Sequence, residues 1–171
     1  MYNAFQRTSE HELVPVLRAY GMRYYVYNPL AAGMLVGKYK PDGLPEGSRF
    51  TDTGRQGAQY KGRYFHDEGF AAIAMIQEAA EQATPALTML ECAIRWTAHH
   101  SCLDASKGDK IIVGVSSLEQ LQQNMAACGG PLPEPVLETM EAAYEMVKAR
   151  EYHYSRGTGM WREPRVQAPK L

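Results

Sequence analysis

Ser116, Ser117, Gln120 and Asn124 follow directly on the apolar run Lys110-Ile-Ile-Val-Gly-Val115. A strand that breaks at Gly114 and opens through two serines into a helix presents unpaired backbone N–H groups and the positive end of a helix dipole. Both favour an anion such as a phosphate. Gln120 and Asn124 lie four apart, so they share one helix face and add amide donors and acceptors for a polar ligand. Ser116-Ser-Leu-Glu119 also spells a capping box, in which serine and glutamate satisfy each other's orphan donors. Its carboxylate would occupy the same first turn, and on these residues alone the phosphate site and the plain cap both stand.

The elements that must position these residues alternate between helix and strand. Ser9-Glu-His-Glu12 reads as a capping box ahead of Leu13, Val14, Val16 and Leu17, which predicts a helix over 9–20 closed by Gly21. Residues 22–28 are rich in aromatic and β-branched types between Gly21 and Pro29, and read as a buried strand. Glycines and prolines from Gly33 to Gly62 then mark a long loop, of a length that is usually functional or disordered. Helical period returns from about His66, with Phe70, Ile73, Ala74 and Ile76 on one side. Pro85 is expected to start a further helix with Leu87, Leu90, Ile94 and Ala98 as its stripe. A strand over 110–115, a helix over 118–127 and a helix after Pro135 carrying Val136, Met140, Ala143 and Val147 complete the order. The residues beyond Arg156 read as a loose tail.

Strands separated by helices imply parallel pairing with helices packed on a sheet. Two or three strands do not complete a doubly wound sheet or a barrel, so the inventory points to a piece of a larger α/β fold. The 171 residues are 45% hydrophobic and 22% charged, with a formal net charge of −1. That balance gives no reason to expect nucleic acid or an anionic membrane as partner. The apolar runs fall short of the ~20 residues of a spanning helix, and the first residues lack a secretory pattern. Cys92, Cys102 and Cys128 are odd in number and unpatterned, as reduced thiols of a cytoplasmic protein would be. Cys92, His99, His100 and Cys102 follow no zinc spacing, so no metal is expected.

Tyr27-Asn-Pro-Leu-Ala-Ala-Gly-Met-Leu-Val-Gly-Lys-Tyr39, Gly47-Ser-Arg-Phe50, Ala93-Ile-Arg-Trp96 and Gly114-Val-Ser-Ser-Leu-Glu-Gln-Leu-Gln-Gln-Asn124 resemble, in this order, the C-terminal half of aldo-keto reductases. Among these the aflatoxin-aldehyde (succinic semialdehyde) reductase subfamily matches best. The resemblance covers residues 1–156 and leaves 157–171 unmatched. It implies an incomplete (β/α)8 barrel of the TIM type, with its sixth strand ending over 1–3, its seventh over 22–28 and its eighth over 110–115. It also implies NADP(H) lying across the C-terminal ends of these strands. Tyr27 would stack on the nicotinamide, and Asn28, Pro29, Leu30, Ala31, Gly33 and Lys38 would form the cofactor loop, with backbone amides and Lys38 toward the phosphates. Arg49 matches an arginine near the cofactor, although Ser48 precedes it where the family has glycine. Ser116, Ser117, Gln120 and Asn124 match the pocket for the 2′-phosphate and adenine. Tyr60, Arg63 and Arg156 match substrate contacts, and arginines there suit small aldehydes bearing a carboxylate, which the guanidinium fork grips.

The family's catalytic tyrosine, lysine, aspartate and histidine precede the sixth strand, and none can be assigned here. Lys38, Tyr39 and His66 follow the seventh strand and do not replace them. Met1 matches an internal family position, so the chain reads as an incomplete gene model, a fragment or a truncated isoform. The resemblance therefore implies an NADP(H)-dependent aldehyde reductase, a possible homo-oligomer at full length, whose isolated C-terminal portion turns over no aldehyde and binds NADPH weakly or not at all. The alternative is a non-catalytic, nucleotide-binding or regulatory member of the same fold, or a nonfunctional remnant. Taken alone, the strands would expose two edges and the apolar faces of Tyr24, Val26, Ile112 and Val113, and the chain would be weakly stable or aggregation-prone.

Overall fold

The computed structural model of the chain describes residues 1–41, 43, 50 and 55–154, with the backbone alone at 55, 56, 58 and 59. Two strands, β1 (Tyr25–Tyr27) and β2 (Lys110–Ile112), pair in parallel. Tyr25 faces Lys110, Val26 faces Ile111 and Tyr27 faces Ile112. Both are shorter than the spans 22–28 and 110–115 expected of them, and around β1 the neighbouring backbone groups are engaged elsewhere. The Met22 N–H donates to the Leu17 carbonyl at 2.8 Å, the Tyr24 N–H donates to the Asp109 carboxylate at 2.7 Å, and beyond Tyr27 the chain turns left-handed at Asn28. The strand expected over 1–3 is reduced to one ladder bond, from the Tyr2 N–H to the Tyr27 carbonyl at 3.1 Å, after which Asn3 bends back to pair with Gln6.

The period of two sorts the faces differently from expectation. Tyr24 and Val26 are buried under the helices, whereas Tyr25 and Ile112, on the opposite face, are 50% and 51% exposed. A pleated strand buries alternate residues, and here the helices cover the even set of β1.

Helix α1 (Leu13–Ala19) begins after Glu12, later than the predicted 9–20, since Ser9 is buried and bonded to the Tyr24 hydroxyl at 2.8 Å instead of capping it. Pro15 sits in the first turn, where its missing N–H is not needed. At the far end Gly21, at φ +63°, lets its own N–H reach the Arg18 carbonyl and that of Met22 reach Leu17, closing the helix as a Schellman motif.

The predicted long loop contains a tight 3-10 turn, Ala31–Val36, and a helix, α2 (Arg55–Tyr64). Tyr39, Phe50, Phe65 and Phe70 form an aromatic chain beside α2, with successive centroids 4.7 to 5.0 Å apart, edge-to-face at its two ends and tilted between Phe50 and Phe65. His66 caps α3 (Asp67–Gln82), its Nδ1 accepting from the Gly69 N–H at 3.0 Å. Ala72, Ile73, Ile76 and Ala80 face the core, while Ala74 is exposed. Pro85 stands before the next helix rather than at its start: Thr88 and Glu91 form a reciprocal capping box that begins α4 (Met89–Arg95). A π-helical turn over Trp96–His100 continues it and leaves Ala98 exposed.

Helices α5 (Leu118–Ala126) and α6 (Glu134–Val147) follow β2. Val136, Met140, Ala143, Tyr144 and Val147 of α6 pack chiefly against α3. Arg7 ties the first residues to this layer, lying 4.1 Å from the Trp96 ring and 3.9 Å from that of Tyr144 while gripping Glu141 with both terminal nitrogens. Among the described residues, no helix is long and apolar enough to cross a membrane.

One buried carboxylate joins these parts. Asp109 accepts from both terminal nitrogens of Arg18 on α1, from the Tyr24 N–H before β1 and from the Asp104 N–H at 2.9 Å. Burial pushes its pKa up, but Arg18 and the two amides outweigh that and hold it below the ordinary aspartate value. Because the folded pKa is depressed, its contribution to stability is present above the unfolded value near 4 and is lost as pH falls through the folded value. Asp109→Ala leaves Arg18 with the Cys102 carbonyl but no carboxylate, and two backbone donors unpaired. It should cost about 3 kcal/mol, and at roughly 2 to 4 °C per kcal/mol lower Tm by about 10 °C in thermal unfolding at pH 7. The deficit relative to the parent chain should shrink in acid.

Candidate functional site

The carboxyl ends of β1 and β2 open together into a groove of about 640 Å3. That volume is typical of a small-molecule site, and the crevice beyond the carboxyl ends of parallel strands is where such sites form. One side is Tyr27 to Leu30 with Ala32, Gly33, Val36, Lys38 and Tyr39; the other is Ile112 to Gly114 with Ser116, Gln120, Gln123 and Asn124. Tyr60 and Leu90 complete the lining. Lys38 is the one charged side chain among the described lining residues, and no carboxylate joins it. The field in the groove therefore favours anions.

The loop leaving β1 holds an unusual backbone. Asn28, Ala31, Ala32 and Gly33 all have positive φ, at 69°, 49°, 59° and 98°. Each alanine there is disfavoured by ~1–2 kcal/mol. Side-chain and turn hydrogen bonds impose the conformation: the Asn28 Oδ1 accepts from the Ala32 N–H at 2.7 Å, the Asn28 carbonyl from Ala31 at 3.1 Å and the Leu30 carbonyl from Gly33 at 2.8 Å. These amides, expected to reach toward phosphates, are thus satisfied within the loop. Lys38 remains at the rim, its Nζ 5.1 Å from the Tyr39 ring centre.

At the opposite wall the N-cap lies one residue beyond its expected register, and the glutamine three residues on reaches back to Ser116 rather than to the cap itself. Ser117 is the N-cap, accepting from the Gln120 N–H at 3.2 Å, while the Gln120 Oε1 accepts from both the N–H and the hydroxyl of Ser116 at 2.9 and 3.0 Å. Glu119 instead bonds the Gln123 amide, so the first turn at the groove carries a neutral glutamine. Asn124 is only 7% exposed as a residue, but its side-chain amide bonds no described residue and keeps its polar atoms open to the groove; among the described residues the one fully buried side-chain polar atom without a partner is Arg95 Nε. An amide placed this way has its donors and acceptor available to water or a polar ligand.

The structure thus brings together Tyr27, Asn28, Pro29, Leu30, Gly33, Lys38, Tyr60, Ser116, Gln120 and Asn124. Ala31 is fully buried beneath the loop, and Ser117 caps α5 outside the lining. Arg63 lies beside a separate small hollow with Gln6, His66 and Arg150, its guanidinium 5.9 Å from the Tyr60 ring centre and 5.4 Å from that of Tyr152. Arg49 and Arg156 lie outside the described residues. Leu90, Ile112, Val113 and Gln123 also line the groove and carry no site assignment from the sequence. Of these, Gln123 was reachable from the helical spacing that picked Gln120 and Asn124. His100, considered as a metal ligand and set aside, accepts from the Leu132 N–H at 2.8 Å.

The aldo/keto reductase family model matches residues 1–145. The chain belongs to the aldo/keto reductase family. It is 46% identical over 154 residues to aflatoxin B1 aldehyde reductase member 2 of Mus musculus, covering 86% of this chain and 41% of that protein. Identity to aldo-keto reductase family 7 member A3 of Homo sapiens is 42%, covering 86% of this chain and 46% of that one. An aldo-keto reductase of Monascus ruber is 38% identical over 87% of this chain and 44% of its own length. The chain spans less than half the length of these relatives.

The strained loop makes its own prediction. Ala32→Gly removes the Cβ clash at φ +59°, worth ~1–2 kcal/mol, against ~0.5–1 kcal/mol of added unfolded-state entropy. A net gain of about 0.5 kcal/mol and a rise in Tm of roughly 1–2 °C should appear in thermal unfolding, whereas a lowered Tm would contradict the left-handed assignment.

Proposed function

We propose that this chain forms the nucleotide-holding wall of an NADP(H)-dependent aldehyde reductase built as a (β/α)8 barrel, with the groups that protonate the substrate lying on other residues of that barrel. The observation that carries the reading is the groove at the carboxyl ends of the parallel strands, where Lys38 is the only charged side chain among the described lining residues and the Asn124 amide is open to a ligand. Anion, hydroxyl and ring chemistry all find a match: Lys38 for phosphate charge, Ser116, Gln120 and Asn124 for polar atoms at the adenosine end, and Tyr27 for a flat aromatic face. When bound, a reduced nicotinamide supplies hydride to a carbonyl.

The chain's own residues bind and orient. Asn28, Pro29, Leu30 and Gly33 shape one wall, Ala31 packs beneath them and Ser117 holds the start of α5. Arg49 is assigned to the cofactor by the same reading, and Tyr60, Arg63 and Arg156 to a carboxylate-bearing aldehyde. Residues 1–156 then form one unit with 157–171 as its tail. A reducing, cytoplasmic setting agrees with Cys92, Cys102 and Cys128 all being unpaired thiols.

A chimera tests this, with the chain replacing the matching 154-residue segment of the mouse relative. It should bind NADPH and reduce 2-carboxybenzaldehyde, whereas the isolated chain should not turn over. Lys38→Met in the chimera should raise the Kd for NADPH by roughly tenfold or more, the scale of a lost charge-assisted contact. A folded chimera that does not bind NADPH would overturn the reading.

A further inference from the structure

The hydroxyl of Tyr64 lies wholly inside the protein, at the end of α2, where three side chains meet it. It accepts from the Asn28 Nδ2 at 3.0 Å and the Asn3 Nδ2 at 3.3 Å, and donates toward the Met1 sulfur at 3.5 Å. Asn3 also donates to the Asn28 carbonyl at 3.0 Å. The amide of Asn28 is thereby oriented: with Nδ2 turned to Tyr64, its Oδ1 must face the loop, where it receives the Ala32 N–H. We propose that Tyr64 is a positioning residue for the groove, its hydroxyl locking the Asn28 amide and through it the left-handed run from Asn28 to Gly33.

The chemistry of the contact supports a fixed role. Burial pushes the Tyr64 phenol up to about 12, so it remains a neutral hydroxyl able to accept two N–H groups while donating its own proton. Remove it, and the buried Asn3 amide and the half-buried Asn28 amide each lose an acceptor. The Asn28 amide is then free to rotate, Ala32 loses its acceptor, and alanines at positive φ relax toward ordinary backbone. Lys38 and the Tyr27–Leu30 wall belong to the same loop, and α2 also carries Tyr60 of the lining. The lock therefore joins two walls of the groove. The consequence for a nucleotide rests on the function proposed above, but the lock itself does not.

The test uses the purified chain without nucleotide, followed by amide hydrogen exchange and by tryptic cleavage after the exposed Lys38. Tyr64→Phe and Asn28→Gly should each speed exchange at Ala32 and cleavage after Lys38 by roughly tenfold, with exchange at Ile76 in α3 unchanged. Tyr144→Phe, which removes a hydroxyl's bond to Glu151 at 3.1 Å and none of the bonds joining Asn3, Asn28 and Tyr64, should leave both rates alone. Tyr64→Phe behaving like Tyr144→Phe overturns the proposal. Asn28→Gly, whose glycine suits the φ of 69° at that position, checks only that the Asn28 side chain holds Ala32; should Tyr64→Phe not fold, protection of the Ala32 amide in the parent chain decides. In the parent chain itself, an Ala32 amide exchanging as fast as an exposed one also overturns it. In the chimera, Tyr64→Phe should raise the Kd for NADPH about tenfold with kcat unchanged; a parent chimera that binds no NADPH removes the groove's ligand and leaves the loop result standing.

Discussion

The pairing of β1 with β2 depends on a carboxylate rather than on the sheet. Three residues a side give a parallel ladder too short to hold its own register. Asp109 does so from just before β2, gripping the Tyr24 N–H just before β1 and the Arg18 guanidinium of α1. Because both strands are clamped at their amino ends, their carboxyl ends reach the same level, and the groove opens between Tyr27 and Ile112. A slip by one residue would turn Val26 to the exposed face and Tyr25 under the helices.

On the two sides of that groove, hydrogen bonding is arranged in opposite ways. The Asn28–Gly33 loop satisfies its amides internally at the expense of left-handed alanines, which makes it a rigid wall with few donors left to offer. The α5 wall leaves the Asn124 amide without a partner among the described residues and open to the groove. A ligand that needs both shape and polar contacts would meet the shape on the first side and the contacts on the second. Rigid shape and waiting polar groups are the two components of a preorganised site.

Helices α3 and α6 were legible because their apolar period continues for several turns against a partner, and Val136, Met140, Ala143 and Val147 are buried as that period requires. Helix α2 was not legible. Gly57 and Gly62 interrupt its pattern, and the aromatic chain through Tyr39 and Phe50 that packs beside it comes from residues distant in sequence. At α5, Ser-x-x-Glu and Ser-x-x-Gln are offset by one residue, and both fit the capping pattern. Only the folded chain chooses between them, making Ser117 the N-cap and turning Glu119 to Gln123. The site residues were legible chiefly where a motif carried them. Tyr64 carried no motif, and its role exists only once Asn3 and Asn28 are brought to it from 61 and 36 residues away.

Polar locks recur wherever the apolar core is thin. The Leu118, Leu121 and Met125 row of α5 is exposed, as are Tyr25 and Ile112 of the sheet, so burial on that side cannot set the positions of the strands. In their place stand Asp109 at the amino ends of the strands, Arg7 between Trp96 and Tyr144 on the helical layer, and Tyr64 at the carboxyl end of β1. Hydrophobic contact is non-directional and tolerates sliding, whereas each of these locks admits one geometry, because a misplaced partner leaves a buried charge or amide unpaired. The groove can therefore keep its shape beside an uncovered apolar face: its dimensions are determined by directional bonds at both ends of β1, and the exposed residues add area for further packing without deciding where the walls stand.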